Sequence, residues 1–400
     1  MAYQKTFIPY GGYWSSPFAR WQGSFANLHA LKFAADVTRK ALEARNISPK
    51  TFSNVYLGIT IPATQSFYGA PWLAGMIGAE GVTGPVFSQA CATSARVIGS
   101  ASQAVETDSS DSILCVTADR TSNGPHLLYP NPLNPGGRGD AEDWVWDNFN
   151  RDPFAGNSMV QTAENVAKEA GIITAEQHEV VLMRYAQYQK ALENDAAFHK
   201  RYMMPVEVNP SGRKVIATVT DDEGIFPSTA EGLAKLKPVM SDGTVTFGGQ
   251  TFPADGNAGM VITTREKARQ LSKDSKVEIQ VLAFNEGRAT KGFMPKANVP
   301  AVRGALAQAG VDIKNIKAIK THNPFAVNDI FLSRELCIPL DKMNNYGSSL
   351  IWGHPQGPTG MRLIIELIEE LVLLGGGYGL FTGCAAGDTA AAIVLEVRAG

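Results

Sequence analysis

Gly353-His354-Pro355-Gln356-Gly357-Pro358-Thr359-Gly360 is the stretch on which the reading of this chain turns. Glycines and prolines make it a rigid turn with a polar tip, set between two apolar stretches. Asn345-Tyr346-Gly347-Ser348-Ser349-Leu350-Ile351-Trp352 precedes it. After it, Met361 to Leu374 has apolar residues at helical spacing, with Glu366, Glu369 and Glu370 on the other face. A histidine held by such a backbone cannot wander, which suits a catalytic base.

The bulk numbers set the frame. Four hundred residues are enough for two or three domains around a large core. Apolar residues at 44%, charged residues at 18% and 39 glycines describe a compact soluble chain with many tight turns. A net charge of −2 gives no electrostatic reason to expect nucleic acid or a membrane surface as partner. Cys91, Cys115, Cys337 and Cys384 are far apart and form no C-x-x-C pair, which argues against a zinc ribbon or a disulfide framework. Free thiols fit a reducing compartment. With no signal-peptide pattern at Met1-Ala2-Tyr3-Gln4-Lys5-Thr6 and no long apolar run, the expected location is the cytoplasm.

Outward from the turn, one order of elements occurs twice. Helix Leu31–Ala44, strand Asn54–Thr60, a small-residue helix from Cys91 through Val105 and strand Ser112–Ala118 form the first set. Helix Ala301–Ala309, strand Ile316–Lys320, the His354 turn with its helix and strand Tyr378–Thr382 form the second. Thr38-Arg39-Lys40-Ala41-Leu42 parallels Val302-Arg303-Gly304-Ala305-Leu306, 264 positions on. The same step carries Cys91 to Pro355, one residue past His354. The spacing therefore predicts two copies of one α/β unit. Packed about a pseudo-twofold axis, they would make Cys91 and His354 neighbours. The expected divisions are an N-terminal half over 1–118, completed by about 251–270, an inserted segment over 119–250 and a C-terminal half over 271–400. Within the insertion, helices are expected over Thr162–Ala170 and Thr174–Asn194, the second capped by Thr174 with Gln177 in the capping box.

Cys91 lies where a strand gives way to a helix, and a helix N-terminus favours thiolate. That makes Cys91 the candidate nucleophile and His354 the group that takes its proton. Cys384, in Gly383-Cys384-Ala385-Ala386-Gly387-Asp388, follows the last-but-one strand among small residues that leave room for a ligand. His322, in Thr321-His322-Asn323-Pro324-Phe325, is a candidate donor to a thioester oxygen. His126 is a weaker candidate for substrate binding, and His29, His178 and His199 read as surface or packing residues.

Together these motifs resemble the thiolase family over nearly the whole chain. Gln89-Ala90-Cys91-Ala92-Thr93-Ser94-Ala95 is similar to its nucleophile motif. The Gly353–Gly360 stretch fits G-H-P-x-G-x-x-G, and Gly383-Cys384-Ala385-Ala386-Gly387 resembles the C-terminal C-x-G motif. Gln161–Ala167 and Leu236-Lys237-Pro238 are similar to parts of the thiolase loop domain. The resemblance implies a five-layered α-β-α-β-α fold and ping-pong acyl transfer with coenzyme A thioesters, without a metal or redox cofactor. Cys91 would carry the acyl group, His354 would activate it, and Cys384 would act as acid and base at the α-carbon. His322 and His354 would stabilise an enolate, with Cys91 and Ala386 N–H groups as a second oxyanion hole. Phe325, Gly353, Gly383 and His126 would line the acyl-CoA site. A homodimer or homotetramer is implied, and some variants work with a small OB-fold, zinc-ribbon subunit.

Three departures qualify this expectation. His322-Asn323-Pro324-Phe325 stands where many members have N-E-A-F, so Asn323 removes a carboxylate. Ala386 replaces a glycine, with Asp388 close by. Gln250–Asn257 stands in place of an N-A-S-G stretch. A branched or aromatic acyl group becomes a plausible substrate. The rival readings are a decarboxylating ketoacyl-synthase-like enzyme and a non-catalytic scaffold. Cys384 counts against the first, because decarboxylation needs no base at the α-carbon.

Overall fold

The structure, a computed structural model, describes residues 1–122 and 124–399. One large sheet runs in the order Ile316–His322, Gly377–Ala385, Thr389–Ala399, Val277–Arg288, Phe7–Ile8, Ala254–Thr263, Ser112–Arg120, Asn54–Gly58 and Val86–Phe87. The duplication is visible in its register. Asn54–Gly58 lies parallel to Ser112–Arg120, as Ile316–His322 lies parallel to Gly377–Ala385. Each longer strand then has an antiparallel neighbour, Ala254–Thr263 in the first half and Thr389–Ala399 in the second. Phe7–Ile8 pairs with a strand of each half and joins them.

A parallel pair needs a crossover, and each half uses a helix for it. These are Thr93–Glu106 and Gly357–Leu373. Their first residues are 264 positions apart, the step that the sequence match predicts. Both helices pack into one apolar layer with residues from both ends of the sheet, among them Ile98, Val105, Ile364, Leu367, Ile113, Phe381 and Ile393. The sheet therefore wraps around them. A second apolar layer lies under the outer helix Ala30–Ala44, and a third under Asn298–Ala309. Helix, sheet, paired helices, sheet and helix make the five layers.

The Gly357–Leu373 helix differs from the amphipathic reading. Glu366, Glu369 and Glu370 are buried, not turned to water. Glu366 accepts from Arg362 at 3.0 Å and from Tyr202 at 2.7 Å. Glu369 accepts from Tyr13 at 2.7 Å and Arg201 at 2.6 Å, and Glu370 lies 3.2 Å from Lys320. Arg362 in turn grips Asp222 through both terminal nitrogens at 2.6 and 2.8 Å. Spacing along the helix showed where the charges sit, but their partners come from remote parts of the chain. Such buried charges are tolerated only when paired.

Between Ser112–Arg120 and Ala254–Thr263 the chain forms a hairpin of His126–Tyr129 with Asp140–Asp143, then helices Met159–Ala170 and Thr174–Ala196. The second helix starts where expected, but its cap is shifted by one residue. Ile173 is the N-cap, and its N–H donates to Glu176 at 3.0 Å. Thr174 instead donates to the Thr244 carbonyl, and Gln177 to the Thr244 hydroxyl. A tertiary contact has taken the side chains that the local motif would have used. Regular helical geometry ends before Glu193.

Candidate active site

Cys91 sits in the tight turn that opens the Thr93–Glu106 helix. Ala90 adopts φ +43°, a conformation costly for a residue with a Cβ. Thr93 holds the turn: its hydroxyl accepts the Gln89 N–H at 2.8 Å and donates to the Ala90 carbonyl at 2.7 Å. The equivalent turn of the second half is pinned on both sides of its histidine. The His354 N–H donates to the Phe252 carbonyl at 2.8 Å, and its carbonyl accepts from Ala254 at 3.3 Å. Gly353 has φ +89°, and a Cβ there would lie 2.7 Å from the Phe252 ring. Only glycine fits.

These turns bring the two residues together across 263 positions: His354 Nε2 lies 3.1 Å from Cys91 Sγ. On the other side of the ring, Nδ1 lies 2.6 Å from the Thr359 hydroxyl, five residues on. With Nδ1–H donating to Thr359, Nε2 is free to accept the thiol proton. Asp119, unremarked in the sequence, locks the halves at this point. Its carboxyl accepts from the Thr60 and Ile61 amides at 2.7 and 3.0 Å, and from the Gly357 amide at 2.8 Å. Burial pushes the Asp119 carboxyl up to about 7 against the pull of these donors. The Ser94 hydroxyl also donates to the Gly357 carbonyl. An acid at the end of an otherwise apolar strand was the signal available in the sequence.

Cys384 is the penultimate residue of its strand rather than part of the following loop, and it is fully buried. Its sulfur accepts from Asn328 Nδ2 at 3.1 Å. It packs in a cluster with Phe325, Leu350 and Met294, flanked by Met159 and Phe293. Burial raises the Cys384 thiol well above its ordinary value, and the nearby Cys91 raises it further. Gly383 leaves room for His322: a Cβ there would lie 3.0 Å from that of His322.

The His322 ring stacks on that of His354, with centroids 4.0 Å apart and planes inclined by 28°. Its Nδ1 lies 2.8 Å from Ser349 Oγ. Its Nε2 is buried and has no hydrogen-bond partner among the described residues. Asn323 does not leave the region without a carboxylate. Its amide donates to Asp329 at 2.7 Å, and Asp329 also takes the buried Arg184 at 2.9 Å. The Gln250–Asn257 stretch ties the His322 segment to the His354 turn, since the Thr251 N–H donates to the Pro324 carbonyl at 2.7 Å while the Phe252 carbonyl holds the His354 N–H. Ala386 is exposed, and its backbone N–H favours the Cys91 thiolate against the effect of burial. Asp388 turns away to accept the Gly292 amide at 2.8 Å. His126 joins none of these contacts; it is exposed on its hairpin, 3.8 Å from Asp143.

The electrostatics favour neutral groups at rest. Burial pushes the Cys91 thiol up to about 12, partly offset by the Ala386 N–H. Burial and the neighbouring His322 hold His354 well below its ordinary value, and burial alone takes His322 down to about 3. Cys91 and His354 thus meet as a neutral thiol–imidazole pair 3.1 Å apart. Such a pair can form and release an acyl-thioester, with a second thiol placed to move a proton beside it.

Known proteins with the same chain organisation agree. Residues 14–266 match the family model described as thiolase, N-terminal domain, and residues 275–397 match thiolase, C-terminal domain. An acetyl-CoA acetyltransferase of Chromobacterium violaceum is 29% identical over 94% of this chain and 95% of its own. The human mitochondrial 3-ketoacyl-CoA thiolase is 28% identical over 96% of each chain. A crystal structure of that human enzyme in complex with CoA superposes with a TM-score of 0.90 at 25% identity, covering 99% of both chains. The Bacillus anthracis acetyl-CoA acetyltransferase structure gives 0.88. With both family domains matched in order and the paired turns meeting at one site, the chain belongs to the thiolase family.

Proposed function

We propose that this protein is an acyltransferase that cleaves a 3-oxoacyl-CoA with CoA, or runs the reverse Claisen condensation, through an acyl-enzyme on Cys91. The 3.1 Å contact between Cys91 Sγ and His354 Nε2 carries this reading. In the cleaving direction His354 takes the thiol proton as Cys91 attacks the 3-oxo carbon. The bond between C2 and C3 then breaks, leaving the acyl group on Cys91 and an acetyl-CoA enolate. Cys384 protonates that enolate at C2, and a second CoA thiol collects the acyl group. His354, once protonated, and His322 face the enolate oxygen. The N–H groups of Cys91 and Ala386 form the second oxyanion site, a role supported by the pull of both N–H groups toward the charged form of the Cys91 sulfur.

For His322 to donate, its Nε2 must carry the proton and Ser349 must donate to Nδ1. Ser349 can do so, because Asn323 Oδ1 is already satisfied by the Leu350 N–H at 3.2 Å. Phe325, Gly353 and Gly383 shape the acyl pocket in this reading, and residues 119–250 cover the CoA thioester. A homo-oligomer is the proposed assembly, supported by the edge strand Val86–Phe87 with Phe67 and Tyr68 exposed beside it. The four free cysteines suit a reducing, cytoplasmic compartment. Among the described residues no helix is long and apolar enough to cross a membrane.

The test is CoA-dependent cleavage by the purified chain of linear, branched and aromatic 3-oxoacyl-CoAs, with mass spectrometry of Cys91 before CoA is added. Cleavage with an acylated Cys91 is expected. Full activity of the chain alone excludes a required small subunit, and absence of acylation with every substrate refutes the assignment.

The electrostatics give a second expected result. His354 is competent as a base only when uncharged, and burial lowers its pKa below the ordinary 6.5. The rate of Cys91 acylation should therefore stay level from about pH 8 to about pH 6, falling only as the medium passes the lowered value. Quenched-flow mass spectrometry across that range decides it; a fall centred on 6.5 would show an ordinary histidine.

A further inference from the structure

His322 gives the site a property beyond acyl transfer. The ligating atoms of Cys91, His322 and His354 all lie within 4.8 Å of one another. The Nδ1 atoms of both histidines are engaged by hydroxyls, of Ser349 and Thr359, which leaves both Nε2 atoms available to a ligand. His322 is 1% exposed, and its Nε2 has no hydrogen-bond partner among the described residues. A buried imidazole nitrogen without a partner, beside a thiol and a second imidazole, is the donor set of a soft divalent cation. Around tetrahedral zinc, with bonds of ~2.0–2.1 Å to nitrogen and ~2.3 Å to sulfur, donor atoms stand about 3.3–3.6 Å apart. The 3.1 Å contact needs only a slight opening to reach that spacing. Histidine ligands usually donate their other N–H to an oxygen, and both rings have one in place.

We propose that Cys91, His322 and His354 form an inhibitory binding site for zinc or a similar soft divalent cation, which competes with acylation. It rests on the assignment of Cys91 as the acylated residue. Binding replaces the Cys91 S–H bond by a metal–sulfur bond and releases one proton to solvent. Both imidazoles bind as neutral ligands through Nε2. Ser349 permits the change of tautomer: its hydroxyl turns from His322 Nδ1 to Asn323 Oδ1, 3.2 Å away, and then accepts from Nδ1–H. The fourth position remains for water or an incoming thiol, since Cys91 is only partly buried. The metal is an inhibitor here, not a cofactor.

The experiment uses the chelator-treated full chain and follows alkylation of Cys91 by iodoacetamide, a readout that needs no turnover. Micromolar Zn²⁺ is expected to slow alkylation at least tenfold, reversibly with EDTA, while millimolar Mg²⁺ has no effect. His322→Asn should weaken zinc protection at least tenfold while Cys91 remains alkylated in the absence of metal. Cys384→Ser should leave zinc protection unchanged. Co²⁺ in place of Zn²⁺ should give a thiolate charge-transfer band that His322→Asn diminishes. Absence of protection, or equal protection in His322→Asn, overturns the proposal. Failure of Cys91 to take an acyl group without metal would refute the acyl-transfer assignment instead, so the two failures are distinct.

Discussion

Replacing Cys91 with alanine is expected to remove turnover altogether, by roughly 10⁴-fold or more, because Cys91 is the proposed carrier of the acyl chain between the two half-reactions. The substitution deletes one sulfur from a partly open turn whose geometry is set by Thr93 and Ala90, so the fold should survive. Thiolysis assays and mass labelling measure the effect, and thermal unfolding checks that the protein is intact. Activity within tenfold of the parent in a folded Cys91→Ala protein would show that the acyl group travels by another route. His354 would then be a structural histidine held between Phe252 and Thr359.

Cys384→Ala should separate the chemistry into its parts. Acetyl transfer from acetyl-CoA to Cys91 needs the sulfur and His354 but moves no proton at a carbon. It should persist within a few-fold of the parent. Cleavage and condensation both move a proton at C2, and loss of the acid/base typically costs about 10²–10⁴-fold. The void left beside Asn328, Phe325 and Leu350 is small, so a folded protein is expected. Acylation that stops together with cleavage would make Cys384 a packing residue. Carbon–carbon bond formation from malonyl-CoA that survives Cys384→Ala would favour a decarboxylating enzyme, which draws its carbanion from loss of CO₂.

How much could be read beforehand follows from where each interaction lies along the chain. Cys91, His354 and Cys384 stand in short runs of small or rigid residues, and the repeated step of 264 positions placed the first two together. Helix and strand positions were legible for the same reason, being set by local spacing. What escaped was set by remote partners. The three glutamates after Gly360 look solvent-facing by periodicity, and partners brought in from elsewhere, among them Tyr13, Arg201, Tyr202, Lys320 and Asn345, make them interior. Asn323 seemed to remove a charge, yet Asp329 supplies one six residues on. Thr174 looked like a cap until the chain around Thr244 folded over it. His126 follows Gly124-Pro125 at the start of a surface hairpin strand, a pattern that does not distinguish a ligand contact from an exposed side chain.

The paired charges on the Gly357–Leu373 helix bear on catalysis at a distance. An all-apolar rod between two sheets has no preferred axial stop, and sliding by one turn would shift it about 5.4 Å. Here each rung is notched into a different neighbour: Arg362 into Asp222, Glu366 into Tyr202, Glu369 into Tyr13 and Arg201. Any slip strands several uncompensated ions, at roughly 3–5 kcal/mol for each broken pair. His354 rides on the leading end of this rod, so the same detents that fix its axial position fix the reach between imidazole and thiol.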